Sequence, residues 1–334
     1  MAKLTGEIVY GLENKEKLNR IIDALSIKPV KWDDLSLEFF DEVNEIGEDQ
    51  LLGHTDKHFY RAKTEKMSHL INDIKNNDKC SFVTPISGVV KEGLIPEKIS
   101  TLLKYQADFK AINEVISSQI LNLFGLPTCY NFLVETNNKY DTYVGSVDML
   151  GGNERFFTLN DFWSGLYMCV DNFIDDDYIY ETLKSDNSFT EQYGIPLNFD
   201  ENKLREQIIS TYLVRECLLG DGDFTSGNCG FLVDTVTGDT RFVNFDFEMA
   251  LMVTNSMDNV IKRILNSVYD NAPSVYDDFV KQVRQLYRVL VEVEINCVNN
   301  DHSIALEKLE SNIKNILNFD RNMNPASYSG GYLL

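Results

Sequence analysis

The run from Gly220 to Asn228 carries the residue types that phosphoryl transfer requires. That chemistry needs a carboxylate near the acceptor hydroxyl, oxygen ligands for Mg²⁺ and cations on the phosphates. Asp223 and Asn228 have four residues between them. In this spacing the carboxylate of Asp223 can orient or deprotonate the hydroxyl, and the amide oxygen of Asn228 can help to hold the metal. The sequence therefore predicts a catalytic Asp223 and a metal ligand at Asn228.

Asp246 is the candidate for the principal carboxylate ligand of the same metal. Residues 230–233 and 241–245 have the composition of two strands of a hairpin, with a polar turn between them. The return strand of this hairpin would bring Asp246 back to the catalytic segment. Mg²⁺ prefers such oxygen ligands, and substrate phosphates complete its octahedral shell. The alternative interpretation is a polar surface loop in which Asp246 is an ordinary turn residue.

Other kinds of site have weaker support in the sequence. A calcium loop beginning at Asp221 would need a bidentate glutamate where Leu232 stands. His54 and His58 could share one helix face, but a third strong metal ligand is missing and a solvated turn is favoured. Cys229, next to the catalytic segment, is either a reactive thiol or a small buried packing residue, and packing is favoured.

Composition limits the class of protein and its partners. The chain has 334 residues, of which 43% are hydrophobic, enough for a substantial core in two domains or one bilobal domain. No apolar run approaches the roughly 20 residues that span a bilayer, and the first residues lack a signal peptide. The net charge of −21 argues against sequence-independent binding to nucleic acid or to an anionic membrane. We therefore expect a cytoplasmic protein, or one delivered to a host cytosol without a cleaved signal.

The predicted elements before the catalytic segment, 220–228, differ along the chain: strands are expected mainly in residues 81–150, and helices elsewhere. Helical periodicity dominates residues 1–80, including segments 33–46 and 60–74. Residues 81–150 then read as three short strands, a helix from about Asp108 to Phe124, and two further strands. Helices dominate from residue 151 onwards, and an amphipathic helix around 204–213 leads into the catalytic segment.

The catalytic segment resembles that of a known family. Leu218-Leu219-Gly220 through Asp223, then Gly227-Asn228 and Gly230-Phe231-Leu232, is similar to the corresponding run of the HipA-like serine/threonine kinases, and most similar to their compact secreted Helicobacter type. The resemblance implies ATP- and Mg²⁺-dependent phosphorylation of Ser or Thr in proteins. It matches Asp223 to the catalytic aspartate, Asn228 to the metal-binding asparagine and Asp246 to the aspartate of the metal motif.

The resemblance also implies the fold. It indicates an α+β, bilobal protein-kinase-like fold with an extra N-terminal helical region, and the order of predicted strands and helix in the smaller lobe agrees with it. The expected division is an N-terminal helical region at 1–80, a β-rich N-lobe at 81–150 and a larger helical C-lobe at 151–334.

In the N-lobe the resemblance assigns ATP-binding roles. Lys104 matches the lysine that contacts the phosphates, with Lys91 and Lys98 as competitors, and Glu114 matches the helix glutamate that pairs with it. Ser87 and Gly88 resemble the start of the phosphate-covering loop, in which Ser87 would be a site of autophosphorylation. The backbone that would hydrogen-bond adenine lies at the hinge, formed by Val147, Asp148 and Met149.

Three departures from the family pattern leave alternatives open. Thr225 replaces a histidine, Asp221 replaces an asparagine, and Glu248 stands where ordinary protein kinases have glycine. Every direct metal ligand remains. The expected partners are a protein substrate and an antitoxin-like or regulatory protein. The alternatives are a pseudokinase that binds nucleotide without turnover, and a kinase for a small molecule or a lipid headgroup.

Overall fold

A computed structural model describes residues 15–31, 40–42, 57–62, 101–105, 108–128, 131–135, 142–147, 153–162, 170–174, 178–185, 190–191, 194, 196–252 and 259–323. Within these residues the chain forms a six-stranded sheet, a three-stranded sheet and a helical part. The mixed α+β fold class is confirmed. Among the described helices, none has the length and apolar character needed to cross a bilayer.

The larger sheet belongs to the N-terminal half of the chain. Its strands are β1 (Val30–Lys31), β2 (Phe40–Glu42), β3 (Lys57–Ala62), β4 (Thr101–Tyr105), β5 (Asn131–Glu135) and β6 (Thr142–Val147), in the spatial order β1-β5-β6-β4-β3-β2. Only β1 and β5 run parallel; the other neighbouring pairs are antiparallel. In the pairing of β4 with β6, Lys104 lies opposite Val144 and Thr101 lies opposite Val147.

Helix α2 (Asp108–Leu123) connects β4 to β5 and packs on β5 and β6. Ala111, Ile112, Val115 and Ile116 are completely buried on it. The helix ends before Gly125, whose φ of +74° is a left-handed conformation that glycine adopts without strain. Helix α1 (Lys15–Leu25) packs against α2. The helix that carries Glu114 is thus held by the sheet and by α1.

The smaller sheet consists of β7 (Glu154–Thr158), β8 (Cys229–Asp234) and β9 (Thr240–Asn244), in that spatial order and fully antiparallel. Gly230 is required by the close approach of β7, because a Cβ at this position would lie 2.0 Å from the carbonyl oxygen of Phe157. The register pairs Cys229 with Asn244. The hairpin therefore brings the residues just before β8 next to those just after β9.

The helical part packs against this smaller sheet. Helix α6 (Glu201–Tyr212) follows the shorter helices α3 (Leu159–Phe162), α4 (Val170–Ile174) and α5 (Tyr178–Ser185) and continues directly into a π-helical segment, Leu213–Leu218. The side chain of Asp200 caps α6 by accepting a hydrogen bond from the backbone nitrogen of Lys203 at 3.1 Å. The helices α7 (Asn259–Asn271), α8 (Pro273–Glu292) and α9 (Asn300–Met323) follow, and α9 packs on α8 and on the π-helical segment.

The outcome of the predictions differs between the two halves of the chain. Helix α2 and the hairpin of β8 and β9 are present where the sequence predicts them, and α7 to α9 agree with the helical character expected after residue 151. The helical prediction is wrong at β2, inside the expected helix 33–46, and at residues 60–62 of β3, inside the expected helix 60–74. Pairing with a neighbouring strand determines the conformation of such short segments. The domain boundaries remain predictions.

His302 connects the C-terminal helices to α1. It is completely buried, its Nδ1 accepts a hydrogen bond from the backbone nitrogen of Val298 at 3.2 Å, and its Nε2 lies 2.9 Å from the carbonyl oxygen of Leu25. With Nδ1 accepting, the neutral ring carries its proton on Nε2 and donates it to Leu25. Burial lowers the pKa of His302 below its ordinary value, and the bond to Leu25 opposes this effect in part.

This histidine makes stability depend on pH. Below its ordinary pKa of 6.5 the unfolded chain binds a proton at His302 that the folded chain does not, so the free energy of unfolding falls as pH decreases. We expect His302→Gln, which keeps a donor without a titratable ring, to lose less stability than the wild type between about pH 7.5 and about pH 5.5 in urea titrations. Equal losses in the two proteins would contradict this role for His302.

Candidate active site

The segment from Gly220 to Asn228, which the sequence predicts to be catalytic, begins just after the π-helical segment ends. Gly220 has a φ of +58°, a conformation available to glycine without strain, and the chain turns there into a loop. The backbone nitrogen of Asp223 donates to Oδ1 of Asp221 at 3.2 Å, and that of Asn228 donates to the carbonyl oxygen of Thr225 at 3.0 Å. These two bonds define the shape of the loop that carries Asp223 and Asn228.

Asp223 and Asn228 are in direct contact. Nδ2 of Asn228 donates to the backbone oxygen of Asp223 at 2.8 Å and to its Oδ2 at 3.2 Å. Because the amide nitrogen faces Asp223, the amide oxygen is the atom of Asn228 that can ligate a cation. The spacing seen in the sequence thus corresponds to a direct contact between the two residues.

The surroundings of Asp223 raise the pKa of its carboxyl group. Partial burial is the main cause that raises the pKa of Asp223 above its ordinary value. The hydrogen bond from Asn228 and the charge of Arg215 lower the pKa, whereas the negative charges of Asp246 and Asp221 raise it further. A carboxylate with a raised pKa accepts a proton more readily, as a general base requires.

Asp246 lies against this loop because of the hairpin. The backbone nitrogen of Phe245 donates to the carbonyl oxygen of Asn228 at 3.2 Å, which connects the residue before Asp246 to the loop. Asp246 itself has a φ of +58°. A non-glycine residue in this region costs about 1–3 kcal/mol and persists only where its surroundings impose it, which is frequent at functional sites.

A cluster of three carboxyl groups extends from Asp246 to helix α2. Oxygen atoms of Glu114, Asp246 and Glu248 all lie within 4.8 Å of one another. Lys110, one helical turn before Glu114, forms an ion pair with Glu248 at 2.9 Å between Nζ and Oε1. The Lys110 side chain is 31% exposed and that of Glu248 is 20% exposed. The segment that follows β9 and helix α2 therefore meet through charged side chains beside Asp246.

Arg215, on the π-helical segment, connects the loop 220–228 to the residues that follow β9. Its side chain is completely buried and forms an ion pair with the completely buried side chain of Asp221. Nε and Nη2 of Arg215 lie 2.8 Å and 2.5 Å from Oδ2 of Asp221. The guanidinium group also lies over the rings of Phe224 and Phe247, at 4.5 Å and 4.7 Å from their centroids. Such a buried and fully hydrogen-bonded charge holds its neighbours in a fixed geometry.

Comparisons with known proteins show a distant structural likeness and no match to a family model or a curated protein. Among solved structures, the crystal structure of a Helicobacter pylori proinflammatory kinase, CtkA, is similar with a TM-score of 0.42 and 13% identity over 70% of this chain and 94% of that one. Similarity at this level identifies neither a family nor an activity, and the function is therefore inferred from the residues of the site.

The structure brings together part of the predicted site. Asp223 and Asn228 are in contact, and Glu114 lies in the same carboxyl cluster as Asp246. Lys104 and Val147 lie on the neighbouring strands β4 and β6, and their side chains are outside the described part of the chain. The remaining predicted residues, Ser87, Gly88, Asp148 and Met149, lie outside the described residues, as do the competitors Lys91 and Lys98.

Three residues of the site were missed by the sequence analysis or given no role there. Lys110 precedes Glu114 by four positions, a spacing that places both on one helix face. Glu248 entered only as a departure from a family pattern. Arg215 has Leu213 and Val214 before it and Cys217 to Leu219 shortly after it, and a charge buried in such a segment requires a partner. This last signal was available in the sequence.

Cys229 is a packing residue. It is completely buried at the start of β8, and burial raises the pKa of its thiol to about 12. The thiol is therefore protonated at neutral pH and is a poor nucleophile. This agrees with the packing interpretation of Cys229.

Proposed function

We propose that this chain is a phosphotransferase of the HipA-like serine/threonine kinase type, which transfers the γ-phosphoryl group of ATP to a hydroxyl group of a protein. The observation that supports this proposal best is the contact of Asp223 with Asn228 next to Asp246. Phosphoryl transfer needs a carboxylate near the acceptor hydroxyl, and it needs oxygen ligands for a metal close to this carboxylate.

The donor set fits Mg²⁺. The amide oxygen of Asn228 and the carboxylate of Asp246 are hard oxygen ligands of the kind that Mg²⁺ takes together with substrate phosphates. When bound there, Mg²⁺ would neutralise charge on the phosphates. Glu114 and Glu248 lie close enough to Asp246 to add negative charge to the metal site.

Asp223 has the acid–base role in the proposed reaction. Its carboxylate orients the acceptor hydroxyl and takes up its proton as the oxygen attacks the γ-phosphorus. The new bond joins the acceptor oxygen to this phosphorus, the bond to the oxygen that bridges the β- and γ-phosphates breaks, and its electron pair leaves with ADP. The raised pKa of Asp223 suits it to accept the proton.

The rest of the proposed machinery follows the family resemblance. Lys104 and Glu114 would position the phosphates, and Ser87 and Gly88 would cover them. Adenine would be bound by the backbone at the hinge, at Val147, Asp148 and Met149. The proposed acceptor is Ser or Thr of a protein, with Ser87 as an autophosphorylation site and a regulatory protein as a further partner.

A specific contact favours a second candidate, a nucleotide-binding module without turnover. Glu248, which replaces the usual glycine two residues after Asp246, forms an ion pair with Lys110 of α2. This pair fixes the segment after the metal motif in a way that differs from ordinary protein kinases. The second candidate binds nucleotide and leaves the γ-phosphate in place.

Thermal unfolding with nucleotide, followed by product detection, separates the two candidates. A ligand that binds only the folded protein stabilises it, by about 2.7 kcal/mol at a hundredfold excess over its Kd. We expect Mg²⁺ and ATP together to raise the Tm more than ATP with EDTA does, and phosphorylated protein to accumulate. A raised Tm without any phosphorylated product would favour the binding module, and an unchanged Tm would contradict both candidates.

A further inference from the structure

Arg215 is in an unusual position for an arginine. Its side chain is completely buried in a segment of π-helix, and residues 213, 214, 217 and 218 of the same segment are buried apolar side chains. Burial of a charge is costly unless it is paired and hydrogen-bonded. Segments of π-helix within α-helices are rare and occur often at functional sites.

The guanidinium group of Arg215 bonds to the backbone of both proposed metal ligands. Nη1 donates to the carbonyl oxygen of Asn228 at 2.9 Å and to that of Phe245 at 3.2 Å. Nη2 donates to the carbonyl oxygen of Asp246 at 3.0 Å. A single planar group thus connects the end of the catalytic loop with the residues just after β9.

Asp221 completes this arrangement from the other side. Its Oδ2 accepts two hydrogen bonds from Arg215, and its Oδ1 accepts a hydrogen bond from the backbone nitrogen of Asp223. One carboxylate therefore orients the guanidinium group and also the backbone of the proposed catalytic residue. Asp246 has a positive φ, and its carbonyl oxygen accepts the hydrogen bond from Nη2 of Arg215.

We propose that Arg215 is a positioning residue that sets the separation of the two metal ligands, Asn228 and Asp246, through their backbone carbonyls. This inference depends on the proposed function, because it concerns the metal of the same site. Arg215 touches neither substrate nor metal in this role. Lysine cannot replace it, since an ammonium group lacks the planar fork that reaches Asp221 and the three carbonyl oxygens together.

The test measures metal affinity without any turnover. Mn²⁺ takes the same carboxylate and carbonyl ligands as Mg²⁺ and can be titrated by electron paramagnetic resonance in the presence of a non-hydrolysable ATP analogue. Changes to residues that orient metal ligands typically weaken binding by about 10–100-fold. We expect a loss of this size for Arg215→Lys, and a loss at least as large for Asp246→Asn.

Arg284→Lys is the matched control. Arg284 forms an ion pair with Asp320 at 2.6 Å between α8 and α9, and Asp320 is almost completely buried. This pair lies on helices that carry none of the proposed ligands. The same chemical change there should leave the affinity for Mn²⁺ unchanged while altering stability.

The outcomes separate this inference from the proposed function. Wild-type affinity in a folded Arg215→Lys variant overturns the positioning role and leaves the proposed function intact. No binding of Mn²⁺ with the analogue by the wild type overturns the proposed function, and the positioning role fails with it. Weaker binding by Arg215→Lys, with Arg284→Lys unchanged, supports both.

A second variant applies if Arg215→Lys does not fold. Arg215→Met combined with Asp221→Leu removes both buried charges, a replacement that folded proteins often tolerate. It removes the donors to the three carbonyl oxygens as well, so we expect a cooperative melt with weakened Mn²⁺ binding. If neither variant melts cooperatively, Arg215 is required for folding and the positioning role is overturned.

Discussion

Replacement of Asp223 by alanine is expected to lower the rate of phosphoryl transfer by about 10²–10⁴-fold, the usual contribution of a positioned general base. The side chain is on a loop at the protein surface. The free energy of unfolding should therefore change little, and Mn²⁺ should still bind at Asn228 and Asp246. The measurement is the incorporation of label from γ-labelled ATP into protein, with wild type and variant at equal concentration.

The matched control for this variant is Asp270→Ala, which removes an exposed carboxylate from α7. It changes the net charge of the chain by the same amount as Asp223→Ala. Its rate of label incorporation should equal that of the wild type. Equal labelling by wild type and Asp223→Ala would contradict the role of Asp223.

Asp221→Leu is expected to destabilise the protein by about 3–5 kcal/mol, since it leaves the buried charge of Arg215 without its partner. Both side chains of this pair are completely buried. Urea titrations followed by circular dichroism would measure the loss as a lower midpoint of unfolding. The same variant also removes the acceptor for the backbone nitrogen of Asp223.

Two further variants identify the cause of this loss. Arg215→Met combined with Asp221→Leu should recover most of the stability, because no uncompensated charge remains. Asp23→Asn removes one member of an exposed ion pair, Lys28 with Asp23, and should cost less than about 1 kcal/mol. If the double variant is as unstable as Asp221→Leu, the unpaired charge is not the cause.

The proximity of Asp223, Asn228 and Asp246 could be predicted because local sequence determines it. Asp223 and Asn228 belong to one loop, and the composition of the hairpin after it was sufficient to bring Asp246 near them. Helix α2 was predictable for a similar reason, since its buried residues recur at helical spacing and Gly125 follows them.

The remaining features depend on contacts between segments distant in sequence. The ion pair of Lys110 with Glu248 joins residues 138 positions apart. Strand β2 and residues 60–62 of β3 were predicted as helix because segments 33–46 and 60–74 have helical periodicity, whereas pairing across the sheet determines their conformation. Arg215 could be recognised as needing a buried partner, but its bonds to the carbonyl oxygens of Phe245 and Asp246 follow only from the tertiary structure.

The most direct test of the central proposal compares the wild type with Asp223→Ala after incubation with ATP, in Mg²⁺ and in EDTA, by intact-mass and peptide analysis. A phosphotransferase should gain phosphate on Ser or Thr, or should phosphorylate an added protein, only with Mg²⁺ and only with Asp223 present. Absence of phosphorylated product from the wild type across a range of protein acceptors, or equal product from both proteins, would contradict the proposed activity.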